Sequence, residues 1–104
     1  MVQNYDNLYN SLSYNLPSDD ITENEKKEMT EKLELLDTES KEIIYILMLH
    51  DWNRFNPNTK VVFPYKTKQT ENYMEIKIDC LPIRLKRILL KFINIAHSKL
   101  NDTK

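Results

Sequence analysis

At 104 residues and 12.5 kDa the chain can form one domain with a modest core, and it is too short for a two-layer enzyme with a deep cleft. No apolar run approaches the roughly 18 residues a membrane span needs, and the absence of glycine excludes phosphate-cradling loops of the GxGxxG or GxxxxGK type. A net charge of −1 conceals segregation: residues 18 to 42 carry ten acidic and four basic side chains, while residues 77 to 104 carry seven basic and two acidic ones.

Met1 is followed by polar "VQNYDN" rather than a basic and then apolar leader, and the single Cys80 has no disulfide or metal-ligand partner in spacing, so an intracellular setting is expected. Lys outnumbers Arg twelve to three and Asn, Ile and Tyr are plentiful, a bias typical of AT-rich coding sequence such as viral or protist genomes carry.

Residues 1–20 read as a polar N-terminal segment in which Tyr5, Leu8, Tyr9 and Leu12, at i, i+3, i+4 and i+7, mark a short docking helix. A single domain is expected over 21–100, with a tail at 101–104. Its first helix starts at Thr22, because Thr22 and Glu25 form a capping box in "TENE", and ends near Leu36 with Met29, Leu33 and Leu36 as a narrow apolar stripe. A second helix follows with Asp37 or Thr38 as its cap. Ile43, Ile44, Leu47 and Met48 form its inner face, and Tyr45, Ile46 and Leu49 widen that face, which predicts the central helix of the domain. "HDWNRFNPNTK" is expected to break it, with Trp52 and Phe55 packing back on helix ends.

"KVVFPYK", residues 60 to 66, has strand composition, with Pro64 confining it to an edge. "YMEIKID", residues 73 to 79, alternates Met74, Ile76 and Ile78 against Glu75, Lys77 and Asp79, the period of a half-buried strand. The two are predicted to pair as an antiparallel hairpin across "TKQTEN". Pro82 suits a first helical turn, and Leu85, Ile88, Leu89, Phe92, Ile95, Ala96 and Leu100 form the buried face of the last helix. The fold expected is mainly α with a small β-hairpin: a three-helix bundle in the order helix, helix, hairpin, helix.

Residues 25 to 48, "EKKEMTEKLELLDTESKEIIYILM", followed by "EIKID" and a Pro-started helix, resemble the extraterminal (NET) domain of the bromodomain and extraterminal family. The resemblance spans residues 23 to 96. It departs from the family at Lys77, which stands where a second acidic strand residue is usual, and in the longer link that carries "VVFPYK". What it implies is a non-catalytic interaction module that takes up short basic-hydrophobic peptides of transcription or chromatin regulators by strand addition. By the same resemblance Glu75 and Asp79 are the acidic readers, with Lys77 between them, Ile76 and Ile78 the groove floor, and Ile44 and Leu47 the helical wall. A nuclear location is implied with it.

His50 and His97 are the only histidines, and neither has a nucleophile or third partner in view, so no catalytic residue, metal ligand or cofactor is expected. His50 reads as a helix C-terminal residue. The rival from another class is a winged-helix-like nucleic-acid-binding protein using Arg84, Lys86, Arg87 and Lys91, which line up beside the apolar face of the last helix; the acidic first helix and a pI near 6.1 speak against it. A structural or oligomerisation role with Trp52 in an interface is a further alternative.

Overall fold

The computed structural model describes residues 5–58, 65, 68–69 and 74–102. Its elements are α1 (Tyr5–Ser13), α2 (Glu23–Leu35), α3 (Thr38–Phe55), the two-residue segments β1 (Lys68–Gln69) and β2 (Met74–Glu75), a 3-10 turn (Ile78–Cys80) and α4 (Ile83–Asp102). This corrects the three-helix expectation: among the described residues four α-helices form the bundle, and the sheet comprises only two antiparallel residue pairs. Lys68 pairs with Glu75 and Gln69 with Met74, antiparallel, so the partner of Met74 and Glu75 comes from the polar link. Most of "KVVFPYK" lies outside the described residues.

The strand expected over 73–79 ends after Glu75. Lys77 begins the 3-10 turn, whose bonds run from the Cys80 amide to the Lys77 carbonyl and from the Leu81 amide to the Ile78 carbonyl. Pro82 explains the turn's exit, because the residue before a proline avoids the helical region and Leu81 is extended at ψ 145°. Asp79 is held at the same time by Lys26 of α2, at 2.7 and 2.8 Å. Alternation outlives the ladder nonetheless: Glu75 and Lys77 are exposed, Ile76 packs half-buried on the core, and Ile78 is buried.

Helix starts follow their local chemistry. The Thr22 hydroxyl accepts from the Glu25 amide while the Glu25 carboxylate accepts from the Thr22 amide, a complete capping box. Asp37 caps α3 by accepting from the Ser40 amide at 3.1 Å. α3 does not break at "HDWNRF" but continues to Phe55, since nothing before Pro57 prevents helix, and Asn56 closes it by donating to the Trp52 carbonyl. His50 therefore lies inside the helix, five residues short of its end.

α4 contacts α1, α2 and α3, whereas α3 meets α1 and α4. The last helix is thus the centre of the bundle, a place the sequence suggested for α3. Leu85, Ile88, Leu89, Phe92, Ile93 and Ala96 are its buried stripe, while Ile95, expected inside, is 48% exposed because it falls about 100° round the helix from Ala96. Tyr9 and Leu12 of α1 join Met29, Leu36, Ile44, Leu47 and Met48 in the same core, so the short N-terminal helix is an integral part of the domain. Among the described residues no helix is long and apolar enough to cross a membrane.

Candidate functional site

Two polar constellations stand out, and the first is internal. Asp51 of α3 is fully buried, and its carboxylate gathers donors from three other parts of the chain. Arg84, in the first turn of α4, donates from Nε to Oδ1 at 3.0 Å and from Nη2 to Oδ2 at 2.9 Å, a bidentate fork. The Tyr65 hydroxyl donates to Oδ2 at 2.6 Å, and the Tyr9 hydroxyl of α1 donates to Oδ1. One carboxylate thereby ties α1, the α3–α4 connection and α4 to α3.

The electrostatics match the geometry. Burial, and then the adjoining Asp51 carboxylate, push the phenols of Tyr9 and Tyr65 well above the usual tyrosine range, so both remain protonated donors. Burial works against the Arg84 charge, but the Asp51 carboxylate outweighs it and holds the guanidinium above its ordinary value. The guanidinium also lies over the Phe55 ring at 3.5 Å, which leaves that ring covered on one face and half exposed. Tyr65 sits in the left-handed region at φ 55°, which costs of the order of 1–3 kcal/mol for a non-glycine residue, and its edge contact with Trp52 at 4.9 Å together with the bond to Asp51 holds it there. With four hydrogen bonds converging on one carboxylate, the cluster is a clamp between helices.

The second constellation is the surface the resemblance points to. Glu75, Lys77 and Asp79 are exposed, and Asp79 is already engaged by Lys26, whose ammonium the Asp79 carboxylate holds above its ordinary range. Ile76 is half-buried. Ile78, Ile44 and Leu47 are inside the core, the last two with no exposed surface, so Ile44 and Leu47 present no side chain to a ligand in this structure. Among the described residues β2 pairs on one side only.

The four cations of the nucleic-acid alternative are all engaged within the chain. Arg84 serves Asp51, Lys86 meets the Asp20 carboxylate at 3.2 Å, Arg87 donates to Glu25 and to the Asp19 and Asp20 carbonyls, and Lys91 donates to the Tyr14 carbonyl at 2.9 Å. The acidic front and basic back of the chain meet here. Nothing in the sequence reading singles out Asp51. A lone carboxylate following a seven-residue apolar run was the available signal, since a charge at that depth requires a cation partner. No family model, curated protein or solved structure matches the chain.

Proposed function

We propose that the chain is a non-catalytic interaction module that binds a short basic-hydrophobic peptide by strand addition along Met74–Lys77, as the resemblance to extraterminal domains implies. The observation that supports this is the half-paired edge itself. β2 is bridged on one side only among the described residues, Lys77 stays extended at φ −94° and ψ 96°, and exposed Glu75 lies within the segment and exposed Asp79, paired with Lys26, just beyond it, with the apolar Ile76 between them. Free backbone groups at such an edge supply affinity, and the carboxylates select lysine or arginine. On this reading the partners are segments of transcription or chromatin regulators, and the chain works in the nucleus, that of a host cell if the protein is viral.

The test is a titration of isotope-labelled protein with peptides that alternate Lys and aliphatic residues. The expected result is new exchange protection of alternate amides from residue 75 onward, and a loss of about tenfold or more in affinity for the pair Glu75→Lys and Asp79→Lys at unchanged thermal stability. Equal affinity of a folded double variant would refute the acidic-reader role. Binding that leaves amides 75 to 77 unprotected would refute strand addition.

A further inference from the structure

The segment from Tyr14 to Asp20, between α1 and α2, behaves as a strap along α4. It is exposed apart from Leu16, turns through Asn15 at φ 56°, and hands α4 one anionic or dipolar acceptor after another. The Tyr14 carbonyl takes Lys91, the carbonyls of Asp19 and Asp20 take Nε and Nη2 of Arg87 at 2.9 and 3.0 Å, and both oxygens of the Asp20 carboxylate take Lys86. Glu25, at the start of α2, completes the shell of Arg87 at 3.0 Å.

Under this cover Lys86 is 8% exposed, an unusual depth for a lysine, and it is reached by Asp20, a residue that itself stands in solvent. Arg87 and Lys91 are one turn apart on the same face of α4, and Lys86, about 100° round the helix from Arg87, meets it at Asp20, so the acceptors of the strap gather three cations. Little apolar packing holds the strap: Leu16 and, just beyond it, Ile21 are its only side chains against the core. Its grip is electrostatic, and the same charges that fix it can be competed away by another anion.

We propose that the strap is an autoinhibitory cover, and that the group Lys86, Arg87 and Lys91 is a polyanion-binding surface for a nucleic-acid phosphate backbone that displaces residues 14 to 20. Asp20 and the strap carbonyls stand in the places phosphate oxygens would take. α1 stays docked through Tyr9 and Leu12, so opening is local and the bundle remains folded. The inference is independent of the peptide reading of the Met74–Lys77 edge.

The experiment compares two charge-matched double variants for binding to duplex DNA at low salt: Asp20→Asn with Glu25→Gln, which loosens the strap, and Glu31→Gln with Glu34→Gln, which adds the same charge on exposed positions of α2. The strap variant should bind about tenfold more tightly, with log affinity falling against log salt at a slope of roughly −3 for three phosphate contacts. In the unmodified protein, adding DNA should speed amide exchange of residues 14 to 21 while that of α4 stays slow. Equal affinity of the two folded variants would overturn the proposal. So would a DNA complex in which residues 14 to 21 exchange no faster than in the free protein, and this second measurement decides the matter if the strap variant does not fold.

Discussion

Replacing Asp51 with Ala tests the clamp most directly. The substitution leaves three donors without their common acceptor, and they are not equally able to find water. Arg84 keeps 36% of its side chain exposed and can turn outward, which puts its share at the low end of the roughly 3–5 kcal/mol seen when one partner of a buried ion pair is removed. Tyr9 is 2% exposed and its hydroxyl cannot rehydrate, adding about 1–3 kcal/mol for an unsatisfied buried group. Coupling between neighbours makes the sum less than additive, so a loss of about 4 kcal/mol is expected, a large part of the roughly 5–15 kcal/mol that holds a domain of this size. Urea unfolding followed by circular dichroism measures it. A double-mutant cycle with Arg84→Met separates the pair, since removing both charges should recover part of the loss. If Asp51→Ala unfolds within about 1 kcal/mol of the parent, the clamp contributes little and the description of Asp51 as the tie between helices is wrong.

Three further outcomes follow from the same structure. Leu47→Ala removes a side chain with no exposed surface and should cost roughly 2–5 kcal/mol by thermal unfolding, whereas Ile95→Ala, half exposed on α4, should cost well under half of that. Thr22→Ala removes one half of the capping box and should destabilise by about 1 kcal/mol, measurable by denaturant midpoint at unchanged slope. On the alkaline side, Tyr9 and Tyr65 hold their protons in the folded state above the ordinary phenol value near 10, so the stability they contribute is complete below about pH 10 and falls as pH rises beyond it; Tyr9→Phe with Tyr65→Phe should flatten that fall.

The helices were legible because their signals are local. A capping box, an Asp cap and a 3.6-residue apolar stripe each lie within one or two turns, and Thr22, Asp37 and, apart from the exposed Ile95, the Leu85–Ala96 face appear where those signals put them. The strand was misread for the opposite reason. The alternation from Met74 to Asp79 is real in burial, yet a ladder requires a partner, and the described chain supplies only Lys68 and Gln69 before Pro82 and the Lys26–Asp79 pair turn the backbone away. Period-2 alternation reports that a segment lies across a core surface, and it does not by itself report pairing. The end of α3 was placed too early because Asn and Trp after His50 resemble loop composition, while helix propensity there is only mildly unfavourable and tertiary contacts of Trp52 and Asp51 override it.

What no local signal could show is which charge meets which. Asp51 and Arg84 are 33 positions apart, and Asp20 and Lys86 are 66 apart. Composition disclosed only that an acidic front and a basic back share one chain. Because α4 sits at the centre, its cations must either be covered by that acidic front or stand bare on the most crowded helix of the fold, and the two sets of contacts divide the work by depth. Arg84 closes on the buried Asp51 and locks the bundle, while Lys86, Arg87 and Lys91 close on a solvent-facing segment that contributes little packing. Fully buried pairing of the first kind fails only with the fold, whereas pairing of the second kind, whose anions face solvent, weakens with salt. Asp20 and Glu25, whose carboxyls are held below their usual range chiefly by the Lys86 ammonium and the Thr22 amide respectively, add acid sensitivity: their stabilisation is present above about pH 4 and declines as pH falls through their lowered values. The strap should therefore open below about pH 4 or in high salt before the helices melt, which exchange of residues 14 to 21 against residues 85 to 93 can resolve. Simultaneous loss of protection in both segments would show that strap and bundle are one cooperative unit.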